Sequence, residues 1–123
     1  MNYMDTRAYL IDPIKKAVMQ IKYSYIGDYK ETARAIGCNT IDAVDLDDKH
    51  VVWVDDEGLF RPKFVFLWKI KSLYYPEGKE LAGMALVTGI DEEGETVPPT
   101  ISIEELNDSL TFHQHPLIRK DMA

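Results

Sequence analysis

The chain has 123 residues, 46% of them hydrophobic and 28% charged, which predicts a single domain over residues 1–123 with a true apolar core. Its 21 acidic residues outnumber the 14 basic ones and give a net charge of −7. This balance argues against direct nucleic-acid binding, because affinity for phosphates comes largely from clustered Lys and Arg. A long apolar run, a secretory leader and a second cysteine beside Cys38 are all missing, which predicts a cytoplasmic protein without a membrane segment.

The first predicted element is a β-hairpin. Its strands are Arg7–Ile11 and Ala17–Tyr23, and the turn between them opens with Asp12-Pro13. Proline presets φ and the Asp side chain can bond the backbone just ahead of it, so the pair is a good turn opener. The return strand alternates apolar and polar residues, which predicts that one of its faces is buried.

A short helix is predicted next, over Tyr29–Ile36. Asp28 can cap its first turn with Glu31 three residues on, and Gly37 fits the left-handed position just beyond a helix end. The residues Tyr29, Ala33 and Ile36 share one face at helical spacing and are expected to be buried.

Two similar acidic segments predict hairpin turns. Val54-Asp55-Asp56-Glu57-Gly58 follows a predicted strand over His50–Val54, and Ile90-Asp91-Glu92-Glu93-Gly94 follows one over Met84–Thr88. Asp, two residues in the helical region and then Gly are what a type I turn with a bulge glycine requires. We expect the chain to pair back over residues 59–61 and 95–97, and another strand to precede His50 over Thr40–Leu46.

The remaining elements are a strand, a helix and a tail. Aromatic and β-branched residues predict a strand over Lys63–Tyr75, and Ser102 caps a predicted helix from Ile103 to about Leu110. An ordered core over about residues 6–111 and an irregular tail over 112–123 are expected. The fold class is therefore α+β: a small antiparallel sheet built from hairpins, with two short helices.

None of the sequence patterns predicts a catalytic residue, a metal site or a cofactor. His113-Gln114-His115 lacks a third ligand at the spacing of known zinc sites. The consecutive carboxylates of the two acidic turns do not follow the alternating ligand positions of a calcium loop. Exposed turns also lack the burial that tunes a catalytic carboxylate.

The order of these segments resembles a known family. The segments that carry the resemblance are Leu10-Ile11-Asp12-Pro13, Gly27-Asp28-Tyr29, Asp42-Ala43-Val44-Asp45-Leu46, Val54–Leu59, Leu81-Ala82-Gly83 and Gly89–Val97. They are similar to those of the domain of unknown function 3846 family, small proteins of phages, prophages and plasmids, over roughly Arg7 to Leu110. The resemblance implies an accessory protein of a mobile element that acts inside a bacterial cell.

The leading hypothesis is a non-enzymatic protein that binds a host or element protein, in a sharper form an inhibitor of a host defence nuclease. Acidic turns and exposed aromatics are the candidate contacts: Asp55, Asp56, Glu57, Tyr74, Tyr75, Asp91, Glu92 and Glu93. A small-molecule binding or sequestering module, with its pocket lined by the segment Phe64–Trp68, is the alternative, and an enzyme is the third hypothesis.

Overall fold

The structure is a computed structural model that describes residues 7–23, 29–56, 64–113 and 117–118. This part of the chain forms eleven strands and two helices, in the order β1 (Arg7–Asp12), β2 (Ala17–Lys22), α1 (Tyr29–Ala35), β3 (Ile41–Asp45), β4 (His50–Asp55), β5 (Phe64–Val65), β6 (Leu67–Ile70), β7 (Lys79–Ala82), β8 (Ala85–Ile90), β9 (Thr96–Val97), α2 (Ile103–Asp108), β10 (Leu110–Phe112) and β11 (Leu117–Ile118).

The main sheet is antiparallel, with the strand order β2-β1-β8-β4-β3. The central strand β8 pairs with β1 along one edge and with β4 along the other, and β9 continues the first edge beyond β1. All residues of β8 from Ala85 to Gly89 are buried, as expected of a strand that is covered on both faces.

Side chains of the main sheet alternate between two cores. On one face Ile11, Val52 and Val87 join a cluster with Trp68 and Leu106, which come from β6 and α2. A second sheet, with the order β10-β6-β7, also contributes to that cluster. On the opposite face Ala8, Leu86 and the partly buried Trp53 pack with Ile36, which follows α1. The main sheet is thus a layer between α1 and the smaller sheet with α2.

The predicted α+β class is confirmed. β1 pairs with β2 and β3 pairs with β4, both antiparallel, and Gly37 has a φ of 72° after α1. At α2 the Ser102 side chain accepts from the Glu105 amide at 3.0 Å, and the Glu105 carboxylate accepts from the Ser102 amide at 3.4 Å. This reciprocal capping box fixes the start of α2. The predicted cap Asp28 lies outside the described residues.

One prediction about the second half of the chain is wrong. Lys63–Tyr75 is not one strand, because β5 pairs with β11 whereas β6 pairs with β7 and β10, and the chain leaves the sheet after Ile70. Of the predicted tail over 112–123, the structure describes the end of β10 at Phe112, His113 and the short strand β11 at Leu117–Ile118. Leu110 and Phe112 pack against the first core, and this apolar contact holds β10 in the smaller sheet.

Strand β4 lies between two neighbouring strands of the main sheet. Both edges of β4 are occupied between Val51 and Val54, by β3 and by β8. The segment 59–61, which was expected to pair back on β4, lies outside the described residues. Gly58 and the rest of the first acidic turn beyond Asp56 lie outside the described residues.

Candidate functional site

The turn between β3 and β4 is held by an aspartate. Asp47 Oδ1 accepts a hydrogen bond from the Lys49 amide at 2.8 Å, and the Leu46 amide donates to the His50 carbonyl at 3.0 Å. An Asp that bonds the backbone two residues on is a common turn former, because its short side chain mimics a backbone turn. One carboxylate oxygen of Asp47 is thus committed to the fold.

His50 links this turn to the segment before α2. The side chain is 7% exposed, and its Nδ1 lies 3.1 Å from Asp47 Oδ1. Its Nε2 accepts from the amides of Thr100 and Ile101, each at 3.1 Å. Since Nε2 accepts two backbone bonds, the proton of the neutral imidazole is assigned to Nδ1, where it donates to Asp47. Both ring nitrogens are engaged in holding two chain segments together.

The turn between β8 and β9 has the predicted geometry. Asp91 Oδ1 accepts from the amides of Glu93 and Glu95 at 2.9 and 2.8 Å, and Gly94 has a φ of 84°. The bulge glycine therefore sits at the left-handed position where a β-carbon is penalised. Glu92 and Glu93 are exposed at the tip of this turn.

These two turns are neighbours in space. The Ile90 amide donates to the Lys49 carbonyl at 2.9 Å, so the turn Asp47–Lys49 lies against the turn Asp91–Glu95. We call this pair of turns the acidic corner. An open groove of about 360 Å³ runs between them, and its lining combines three carboxylates and three apolar residues with one lysine and one threonine: Asp48, Lys49, Ile90, Asp91, Glu92, Val97, Pro98 and Thr100.

An exposed apolar pair lies beside the start of the same β3–β4 turn. Leu73 is 73% exposed and Tyr74 51%, within a tight turn in which Ser72 and Tyr75 exchange backbone hydrogen bonds at 3.1 Å. The Tyr74 amide donates to the Leu46 carbonyl at 3.1 Å, which fixes this turn beside the acidic corner. Tyr75 is only half-buried, and the Lys79 ammonium lies 5.6 Å from the centre of its ring.

A small cavity lies beneath the Ser72–Tyr75 turn, on the first core. Its volume is about 70 Å³, and its walls combine apolar residues with polar ones: Leu46, Asp47, His50, Ile70, Lys71, Ser72, Val87, Ile101, Leu106 and Ser109. Ser72 Oγ is shielded from solvent and has no hydrogen-bond partner. Within the described ranges it is the one such buried side-chain atom.

The structure brings together only part of the predicted site. Asp91, Glu92 and Glu93 lie in the acidic corner, and Tyr74 is beside it. Asp55 and Asp56 lie at the opposite end of β4 from His50, roughly 17 Å away at the usual rise of an extended strand. Glu57 lies outside the described residues. One compact surface therefore cannot include the carboxylates of both acidic turns.

Sequence reasoning missed Leu73, Asp48 and the role of His50. Leu73 was predicted as part of a strand, so its exposure in a turn was not foreseen. The Asp47–His50 contact spans three residues of a predicted turn, but the bonds from Thr100 and Ile101 join residues some fifty positions apart and leave no local pattern.

The described residues include neither a cluster of metal ligands nor a membrane-spanning helix. In these ranges no three side chains of His, Cys, Asp or Glu converge as a metal site would require. The helices that the structure describes, α1 and α2, include none with the length and apolarity needed to cross a bilayer.

Of three comparisons with known proteins, the one with protein families gives a match. No curated protein matches the chain, and no solved structure matches it. The family match covers residues 5–111, which include every element from β1 to α2 together with the acidic corner, the Ser72–Tyr75 turn and His50. The chain belongs to the family described as Domain of unknown function (DUF3846).

Proposed function

We propose that this protein is a non-enzymatic interaction protein that binds a basic partner protein through one surface. This docking surface comprises Leu73 and Tyr74 together with the carboxylates of Asp48, Asp91 and Glu92. The observation that carries the proposal is the exposure of Leu73 and Tyr74, at 73% and 51%, on a turn bonded to Leu46, the residue that directly precedes the acidic corner.

The chemistry of the docking surface matches that of protein interfaces. Aromatic and aliphatic anchors supply most of the binding energy when they are desolvated, whereas surrounding charges speed and orient the encounter. The chain carries a net charge of −7, so the long-range field also favours a basic partner. The anchors and charges are held on hydrogen-bonded turns, which lowers the ordering cost of binding.

A non-enzymatic role is supported by how the polar groups of the acidic corner are used. Asp47 and Asp91 each give an oxygen to backbone amides, and both nitrogens of His50 are hydrogen-bonded within the fold. A general base needs a lone pair directed at a substrate, and the described partners of His50 already occupy that position.

The family resemblance suggests where this binding takes place. We propose that the protein is an accessory factor of a phage or plasmid, acting in the cytoplasm of a bacterial host on a host or element protein. An inhibitor of a host defence nuclease is a specific form of this proposal, because such nucleases carry basic surfaces for DNA.

Affinity capture from a bacterial lysate tests the docking surface. Immobilised wild type is compared with a Leu73→Ser/Tyr74→Ser variant and with Ile14→Ser as a matched control. Ile14 is also exposed, at 64%, but it lies in the β1–β2 turn. We expect a basic protein that is retained by wild type and by Ile14→Ser, lost from the double variant and eluted by salt. Equal retention by all three proteins would contradict the proposal.

A small-molecule binding module is the second candidate function. The groove between the two turns, at about 360 Å³, falls within the roughly 300–1,000 Å³ of common ligand pockets. Its carboxylates and apolar floor suit a cationic ligand with an aliphatic body. Native mass spectrometry of protein purified from its host distinguishes the two functions, since a retained low-mass ligand supports this second candidate.

A further inference from the structure

The groove of the acidic corner lies within the docking surface. Asp48, Asp91 and Glu92 belong to that surface and also line the groove. All three residues are exposed, so a partner can reach them without any rearrangement of the fold. A partner that contacts the acidic part of the docking surface therefore meets the groove.

The walls of the groove are fixed by hydrogen bonds within the fold. The Ile90 amide donates to the Lys49 carbonyl at 2.9 Å and joins the two turns. The Thr100 amide donates to His50 Nε2 at 3.1 Å, which ties the segment after β9 to β4. A preformed groove loses little conformational freedom when it is filled, and this favours binding.

The volume of the groove suits a long side chain. At about 360 Å³ it is more than twice the engineered cavity of about 150 Å³ that admits benzene. An arginine side chain is only about one non-hydrogen atom larger than benzene, so the groove has room for it and for part of the flanking backbone.

The lining of the groove matches the two halves of a long cationic side chain. Ile90, Val97 and Pro98 are half-buried and offer apolar surface, against which a methylene stem can pack. Three carboxylates face one ammonium group, that of Lys49, so the lining keeps a net charge of −2. This charge is complementary to a cationic head group.

The positions of the carboxylates favour a guanidinium over an ammonium head group. Asp48 comes from one turn, and Asp91 and Glu92 come from the other, so the acceptors are divided between two walls. A guanidinium has five donors in a planar fork and can bond oxygens on more than one residue. An ammonium is a compact and more strongly hydrated charge, which costs more to desolvate.

We infer that the groove receives an arginine side chain from the basic partner. Its methylene stem packs against Val97 and Pro98, and its guanidinium bonds the carboxylates of Asp48 and Glu92. This inference rests on the proposed function and adds to it the residue type by which the partner is anchored.

Four synthetic peptides test the anchor. Each has nine residues, with Leu and Lys on both sides of a central Arg, Lys, citrulline or norleucine, and affinities are measured by fluorescence polarisation. For wild type we expect the Arg peptide to bind about fivefold more tightly than the equally charged Lys peptide, the effect of one additional hydrogen bond. Citrulline is a neutral isostere of arginine, and its peptide should bind at least about tenfold more weakly than the Arg peptide. Norleucine keeps only an apolar stem, so its peptide should bind more weakly than the Lys peptide.

Two variants of equal net charge locate the arginine. Asp48→Asn/Glu92→Gln should weaken binding of the Arg and Lys peptides and remove the preference for Arg. Asp42→Asn/Asp56→Asn loses the same charge at the opposite end of the main sheet and should keep that preference. All four side chains belong to exposed residues, and thermal unfolding checks that both variants are folded.

A free arginine derivative separates an anchor of the partner from a small-molecule site. N-acetylarginine methylamide has the guanidinium without the flanking residues, and it should bind at least about tenfold more weakly than the Arg peptide, because it lacks the apolar contacts. Binding as tight as that of the Arg peptide would overturn the anchor and support the small-molecule candidate.

The other outcomes distinguish the anchor from the docking surface. Equal binding of the Arg and Lys peptides to wild type, or an Arg preference that survives in Asp48→Asn/Glu92→Gln, overturns the anchor and leaves the docking surface intact. Failure of every peptide to bind also overturns the anchor. The docking surface is decided separately, by the capture experiment with Leu73→Ser/Tyr74→Ser.

Discussion

At the scale of single residues, the aspartates of the turns serve the fold before they serve any partner. In three turns one carboxylate oxygen of an aspartate accepts a hydrogen bond from the backbone amide two residues further on. These aspartates are Asp12, Asp47 and Asp91. Neighbours such as Asp48 and Glu92 are exposed. Experiments on the acidic surface should therefore replace exposed residues such as Asp48 and Glu92. The turn-forming aspartates should be kept, because replacing a turn former alters the backbone as well as the charge.

His50 is expected to contribute more to stability than a surface histidine. His50→Ala would leave the part-buried amides of Thr100 and Ile101 without their acceptor, at about 1–2 kcal/mol for each donor. We predict a loss of about 2–4 kcal/mol in the free energy of unfolding, measured by urea denaturation. His113→Ala is the control, since its ring is partly exposed beside Glu80, and it should cost less than about 0.5 kcal/mol. Equal costs for the two variants would contradict the bridging role of His50.

Gly94 is predicted to be needed for its backbone conformation alone. Its φ is 84°, and a β-carbon built there meets no atom within 4 Å. Gly94→Ala should cost about 1 kcal/mol through backbone strain. Gly94→Asn should cost less, because Asn tolerates the left-handed region. Urea denaturation of both variants checks this order, and a reversed order would show that space, not φ, selects glycine.

Gly89 is expected to behave differently, because it is limited by space. A β-carbon at Gly89 would lie 2.5 Å from the Pro98 carbonyl oxygen, and that oxygen belongs to the backbone of the segment after β9. Gly89→Ala must therefore shift β8 or the Pro98 segment. We predict a larger loss of stability than for Gly94→Ala, by at least about 1 kcal/mol. An equal loss in the two variants would mean that the Pro98 segment moves freely.

At the scale of elements, the sequence predicted those hairpins and helix ends that depend on residues close together in the chain. The hairpins β1–β2, β3–β4 and β8–β9, and the capped helix α2, follow from turn formers and caps within a few residues of one another. The smaller sheet does not, because β6 is defined by its pairing with β7 and with β10, some forty residues further on. Lys63–Tyr75 is apolar on both sides, a pattern that indicates burial without indicating where a strand ends.

The candidate site was predictable only where its residues share a local sequence signature. Asp91, Glu92 and Glu93 were found because their turn has its own sequence signature. Their proximity to Asp48 was not predictable, since it depends on β4 pairing with β8. Asp55 and Asp56 share the same signature but lie at the far end of β4, which the sequence pattern does not reveal.

The start of α2 gives a test at this scale. The capping box between Ser102 and Glu105 satisfies two backbone amides of a six-residue helix, too short to be stable by itself. Ser102→Ala should cost about 1 kcal/mol in the free energy of unfolding. Ser102→Asp keeps an acceptor and should cost less. Urea denaturation gives both values, and a neutral Ser102→Ala would show that packing of Leu106 alone fixes the helix.

At the scale of the whole molecule, partner binding is expected to depend on which end of the main sheet carries the acidic side chains. The Asp48 and Glu92 carboxylates lie at the end that also carries Leu73 and Tyr74. Asp42 and Asp56 are equally exposed but belong to the opposite end, where Asp42 pairs with Val54. Two variants can thus lose the same net charge at different places, which separates local steering from the overall field of the protein.

We predict that Asp48→Asn/Glu92→Gln lowers the association rate with the captured basic partner by about threefold to tenfold at low salt, because rim charges act mainly on the encounter. The dissociation rate should change little, and added salt should reduce the difference from wild type. Asp42→Asn/Asp56→Asn should leave the association rate near that of wild type. Surface plasmon resonance over a salt series measures both rates. An equal slowing by both variants would mean that net charge alone steers the partner, and no slowing by either would place the partner elsewhere on the molecule.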